Sequence, residues 1–145
     1  MATERHAEVS WQGSLTEGSG TIERVGTGAF GPLDVTWAAR AEDPTGATTS
    51  PEELIAAAHA ACFSMALSGG LANAGNAPER LTTRASVTFV PGTGITTVAL
   101  EVRGAVPGLD EEAFREAAEA AKNGCPVSQA LSGVPEITVD ASLEG

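Results

Sequence analysis

Cysteines, basic residues and long apolar runs are all scarce in this 145-residue chain. Lys and Arg total 8 against 19 Asp and Glu, a formal net charge of −11. That deficit argues against nucleic acid and anionic membrane as partners, because both demand a basic face. The N-terminal stretch Met1-Ala2-Thr3-Glu4-Arg5-His6 has no apolar segment of the kind a secretory signal needs. No unbroken run of about 18 apolar residues is present, so no membrane span is expected. The expected compartment is a reducing cytoplasm, where a disulfide is more often transient and catalytic than structural. CxxC and HExxH spacings are missing, as are repeats, linkers and low-complexity tracts. What is present is enough for a core: 42% hydrophobic residues in one expected domain, residues 1–145.

The first third reads as strands. Glu8-Val9-Ser10-Trp11 alternates polar and apolar, as a half-buried strand should. Glu17 to Gly20 and Gly26 to Gly28 are turn signals, and Val35 to Ala38 reads as a third strand. Ala41 to Thr49 is a polar loop containing Pro44 and Gly46. A helix then starts at Ser50, which fits the N-cap, with Pro51 at the first helical position and Glu53 completing a capping box. Glu52 and Glu53 suit the positive end of its dipole. It should run to about Asn73 and stop at Gly75. Almost every face is apolar or small, which predicts burial all round, against its own sheet and against a second subunit.

Two strands follow, Leu81 to Val90 and Ile95 to Val106, across the Pro91-Gly92-Thr93-Gly94 turn. Asp110 is the expected N-cap of a helix over Glu111 to Lys122, ended by Gly124. Pro126 to Leu131 starts a short helix, and Ile137 to Leu143 is a closing strand. The order βββ-α-ββ-αα-β is an α+β pattern, with the long helix on an antiparallel sheet.

The chemistry concentrates on the only two cysteines. Cys62 lies mid-helix among small residues, where a buried, inert thiol is a common fate. Cys125 precedes Pro126 at a helix start, where unpaired N–H groups stabilise a thiolate. The alternative there is a half-buried N-cap. Two isolated thiols of this kind suggest a redox pair. His59 lies three residues before Cys62 and shares its helix face, which raises a base or metal reading. Zinc would need Cys62, His59, Cys125 and His6, without any supporting spacing. A histidine facing solvent or an interface is the plainer expectation.

At this point the chain resembles a known family. The strings PEELIAAAHAACFSMALS (51–68) and GCPVSQAL (124–131) are similar to those of the OsmC/Ohr superfamily of thiol-dependent peroxidases, on its OsmC branch. VSWQGSLTEGSGTI (9–22) and VPGLDEEAF (106–114) extend the resemblance over nearly the whole chain. It implies an OsmC-like fold and an intertwined homodimer. It implies Cys62 as peroxidatic cysteine, Cys125 as resolving cysteine, and an arginine and glutamate that activate the thiolate. Glu52 matches the glutamate. Arg40 is the best match for the arginine, with Arg24 and Arg5 as rivals.

Ten residues of helix rise roughly 15 Å, so Glu52 does not reach the Cys62 thiol along one straight helix. It must come from a second subunit, or act through the arginine; either way a twofold dimer with two interfacial sites is expected. Ionisation alone is a weak lever. An ordinary thiol is about 3% thiolate at pH 7, and lowering its pKa to about 5.5 gains at most about 30-fold. Low pKa also blunts nucleophilicity. The larger effect must be donors aimed at the departing oxygen, and a forked, permanently charged arginine suits that. The implied substrate is an organic hydroperoxide, reduced in preference to hydrogen peroxide, in oxidative or osmotic stress defence. Phe63, Met65, Leu54 and Ile55 are the apolar neighbours that would favour it. The implied reductant is a dithiol, either a small thiol or a lipoylated or thioredoxin-like protein, and no cofactor or metal is called for. The competing reading is a dimeric binding or structural protein with inert cysteines.

Overall fold

The structure is a computed structural model describing residues 1–42 and 46–144. Ten elements run β1 (Ala7–Gln12), β2 (Ser19–Val25), β3 (Leu33–Val35), α1 (Trp37–Ala41), α2 (Pro51–Asn73), β4 (Arg80–Val90), β5 (Gly94–Ala105), α3 (Glu111–Gly124), α4 (Pro126–Ala130) and β6 (Glu136–Leu143). They fall into two compact units, Met1–Leu54 and Ile55–Gly145. The α+β class expected from the element order holds.

The first unit is an antiparallel sheet in the order β1-β2-β3. Its third strand is shorter than expected. Trp37 and Ala38 are helical, because the Thr36 hydroxyl accepts from the Ala39 N–H and caps α1. Nor is β1 half-buried: all six residues are exposed, including Val9 and Trp11, because none of the described residues of the unit covers that face. The expected loop from Ala41 to Thr49 includes Pro44, which lies outside the described residues, and Gly46, which turns with φ of +72°.

The second unit holds a three-stranded sheet, β4-β5-β6. It is mixed rather than wholly antiparallel. β4 and β5 form a hairpin, but β6 lies parallel to β5, because the α3–α4 crossover brings the chain back to the starting edge. Along β5, Val98, Leu100, Val102 and Gly104 face inward at period two. Gly104 admits the Phe114 ring: a Cβ there would lie 2.6 Å from Phe114 Cζ. Phe114, Ala118 and Ala121 form one face of α3, four and three residues apart. Asp110 Oδ1 accepts from the Ala113 N–H at 2.8 Å, the expected N-cap.

α2 begins and ends by side-chain and backbone chemistry that its sequence announces. Ser50 Oγ accepts from the Glu53 N–H at 3.2 Å. At the far end Asn76 N–H bonds Leu71 C=O and Gly75 N–H bonds Ala72 C=O, with Gly75 at φ +89°. This is the six-to-one and five-to-two pattern of a Schellman cap, and the left-handed residue is the glycine. Within one chain the burial of α2 is confined to one side. His59, Phe63, Leu67 and Leu71 form a single buried stripe at four-residue spacing, and its Phe and Leu residues cluster with Leu100, Val102, Phe114 and Ala118. Ala57, Ala58, Ala61, Met65 and Gly69 are exposed. The expectation of no membrane-length segment also needs amending. Ala, Gly and Ser dilute the apolar character of α2, yet its mean hydropathy over 18 residues is 1.6, enough by length and composition to cross a bilayer. One such helix is what the core helix of a globular unit also provides, and the Phe63 stripe is packed in that way.

Candidate active site

The two cysteines are brought together within the second unit. Cys62 stands on α2 one residue before Phe63 and is half-buried; Cys125 is fully buried. Cys125 joins two helices. Its N–H bonds Ala121 C=O at 2.9 Å as the C-cap of α3, and its C=O accepts from Gln129 N–H at 3.1 Å as the N-cap of α4. Gly124 is therefore the last helical residue, not the left-handed stop expected of it, and Pro126 opens the new helix.

The two thiols hydrogen-bond each other and share surroundings unequally. Burial pushes the Cys62 thiol up, and its hydrogen bond to Cys125 and that neighbour's charge add to the rise; only the Val127 N–H opposes. Burial also acts to raise Cys125. It is outweighed by the bond from Cys62, the N–H groups of Ser128 and Val127 and the Ser128 side chain, so the Cys125 thiol lies below its ordinary value. The N–H groups that the sequence located at this helix start thus favour the Cys125 thiolate, though its side chain makes no cap hydrogen bond.

His59 is not the surface histidine expected. It is fully buried, and its Nε2 lies 2.7 Å from Ser128 Oγ. Burial pushes the imidazole below its usual range, so it is held neutral. Its Nδ1 is buried with no hydrogen-bond partner. Ser128 was missed in the sequence. The available signal was its place three residues after Cys125, where an N-capping residue's side chain meets its backbone. For the metal reading of Cys62, His59, Cys125 and His6, no three of His, Cys, Asp and Glu gather as a ligand set among the described residues.

Arg40 and Glu52 belong to the first unit. Arg40 comes from α1 and Glu52 from the first turn of α2, where helix-start geometry favours an acid. Arg40 Nε lies 3.1 Å from each Glu52 oxygen, and Nη2 is 3.0 Å from Oε2. The fork is thus gripped by a buried carboxylate, a charge-assisted arrangement that fixes its direction. Beside it opens a cavity of about 240 Å³, lined with Arg40 by Trp11, Leu15, Ile22, Trp37 and Leu54 among others. Of the rival arginines, Arg24 pairs with Glu8 at 3.0 Å on the exposed sheet edge, and Arg5 bonds only the neighbouring Glu4 carbonyl among the contacts described. Of the apolar neighbours expected, Leu54 lines this cavity, whereas Phe63 is core and Met65 is 74% exposed.

A family model described as OsmC-like protein matches residues 44–140. Peroxiredoxin OsmC of Escherichia coli K12 is 41% identical over 147 residues, covering 99% of each chain. The organic hydroperoxide resistance protein OhrB of Bacillus subtilis is 27% identical, with a TM-score of 0.62 over 96% of this chain and 98% of that one. An OsmC-like protein from Mycoplasma pneumoniae, 16% identical over 100% of both chains, reaches a TM-score of 0.71, a likeness of fold alone.

Proposed function

This chain belongs to the OsmC-like protein family, and from that premise we propose that it is a thiol-dependent peroxidase that reduces organic hydroperoxides. The observation that carries the reading is the pairing of its only two cysteines, with one thiol at the mouth of α4 and the other on α2. In the proposed cycle Cys62 thiolate attacks the distal peroxide oxygen. The O–O bond breaks, the alkoxide takes a proton and leaves as alcohol, and Cys62 becomes a sulfenic acid. Cys125 then attacks Cys62 sulfur, water leaves, and a disulfide forms. A dithiol reductant returns both thiols by exchange and is itself oxidised.

Cys62 is pushed up by its own surroundings, so the attack needs a cation. Arg40, held by Glu52, is the proposed source. The ten-residue helical rise between Glu52 and Cys62, about 15 Å, supports donation from a second copy of the chain, and hence a twofold homodimer. The exposed small-residue face of α2 and the uncovered Val9 and Trp11 support it too. Residues 1–145 are then one OsmC-like domain of which the two units are parts, and a cytoplasmic setting suits the thiol chemistry. The cavity beside Arg40 supports an organic rather than an inorganic peroxide, since apolar side chains dominate its lining. A structural protein with inert cysteines is not favoured by a 41% identity to a peroxiredoxin.

The test is intact-mass analysis with thiol alkylation after one equivalent of an organic hydroperoxide. The expected result is loss of two hydrogens per chain and a Cys62–Cys125 linked peptide. Two unreacted thiols in folded protein would overturn the reading. Subunit origin is tested by mixing inactive Arg40→Gln and Cys62→Ser chains. Donation across a dimer restores about a quarter of wild-type activity, the share of complete sites in random pairs, and donation within one chain restores none.

A further inference from the structure

The buried stripe of α2 is otherwise Phe63, Leu67 and Leu71, so His59 is its one polar member. His59 is held neutral by burial, and a neutral imidazole has one N–H and one bare nitrogen. Which is which follows from the partners. Nδ1 has none, and Nε2 meets Ser128 Oγ at 2.7 Å. Ser128 is the third residue of α4, whose N-cap is Cys125, and its side chain is among the causes that lower the Cys125 thiol, as a hydroxyl proton directed at sulfur would. Ser128 Oγ is left to accept from His59. With the hydroxyl proton so directed, the imidazole proton would sit on Nε2 and the orphan would be the Nδ1 lone pair.

We propose that His59 and Ser128 are positioning residues for the resolving step: His59 Nε2–H donates to Ser128 Oγ, and the Ser128 hydroxyl donates to the Cys125 sulfur, holding it ready to attack Cys62. The proposal rests on the two-cysteine peroxidase reading above. Without His59 the hydroxyl can rotate and turn its proton to another acceptor; with it, one lone pair is filled and the rotor is set. The step balances within the chain. Cys125 thiolate displaces hydroxide from the Cys62 sulfenic acid, forming the S–S bond, and the hydroxide takes up the proton lost from the Cys125 thiol to leave as water. Sulfenic acid and thiol are consumed, disulfide and water are made, and no further oxidant is required.

Single-turnover kinetics separate this role from a structural one. One equivalent of organic hydroperoxide is mixed with wild type, Ser128→Ala, Ser128→Thr and His59→Asn, and Cys62 sulfenic acid is trapped by dimedone while disulfide is followed by mass. In Ser128→Ala and His59→Asn, Cys62 should oxidise within about twofold of the wild-type rate, and disulfide should close roughly ten- to a hundredfold more slowly, the worth of one hydrogen bond to a charged group. The dimedone adduct then accumulates, and Ser128→Thr, which keeps the hydroxyl, restores closure. Wild-type closure in Ser128→Ala, or an equal loss of both steps, would overturn the proposal. Long-range proton–nitrogen NMR of the reduced wild type is an independent arm that needs no variant to fold. Protonated Nε2 with bare Nδ1 supports the relay, and the opposite tautomer defeats it. If wild-type Cys62 fails to oxidise at all, the peroxidase reading falls and the tautomer alone decides the relay.

Discussion

The two units of this chain have finished their interiors to different degrees. In the second, Phe63, Phe114, Leu67, Leu100, Val98 and Val102 are all but fully buried. In the first, Ile22 is the one buried large apolar side chain among the described residues, while Val9, Trp11, Leu15 and Phe30 stand open. The difference separates two kinds of chemical demand. On the proposed cycle, two thiols that must meet need a stiff setting, and they sit in the packed unit. On the same proposal, an ion pair that receives a substrate with an apolar body needs room, and it sits beside an open cavity.

The contrast can be broken most forcefully at its packed end. Phe63→Ala should cost about 3–5 kcal/mol in urea unfolding, because a fully buried ring leaves a cavity in a core that relaxes little; a cost under about 1 kcal/mol would mean the cluster is loosely packed. At the open end the largest effect should be on rate. Arg40→Gln should lower kcat/KM for an organic hydroperoxide by about 10²–10³, the worth of one aimed donor, with little change in melting temperature. A third measurement probes the packed unit by pH. His59 is held below its ordinary value when folded, so the unfolded chain binds more protons below about pH 6.5. Its contribution is therefore neutral above that pH and destabilising as pH falls through it toward the folded value, by at most about 1.4 kcal/mol per pH unit. His59→Asn should flatten that slope in urea melts at about pH 7.5 and about pH 5.5; an unchanged slope would mean the imidazole can charge in place. The smallest effect sharpens the comparison. Val9→Ser, on the uncovered strand, should move monomer stability by no more than about 0.5 kcal/mol. A larger loss that grows on dilution would show that a second copy covers it.

What could be read in the sequence was whatever is decided locally. Ser50, Asp110 and Gly75 marked helix ends because caps are contacts between near neighbours in the chain. Pro126 located Cys125 at a helix start for the same reason. α1 was hidden because Thr36 and Trp37 favour strands and five residues carry no helical period. The parallel placement of β6 depends on a crossover of about thirty residues, and no local signal encodes it. The buried side of α2 was equally silent: with alanine on every face, any stripe could turn inward, and the choice of the His59 stripe is made by the sheet and α3. Arg40 and Glu52 were legible as residue types in a familiar pattern, with Glu52 acting through the arginine as one expected route, and the coordinates supply the distances of that grip.

The unequal exposure of the two cysteines sets a direction for the end of the proposed cycle. In a Cys62–Cys125 disulfide, an arriving thiol meets the half-buried Cys62 sulfur and is screened from Cys125. Exchange also runs faster when the sulfur expelled is the better leaving group, and the donors around Cys125 make it so. Access and leaving ability therefore agree. The reductant's mixed disulfide belongs on α2, and the α4 thiol is the first to be returned.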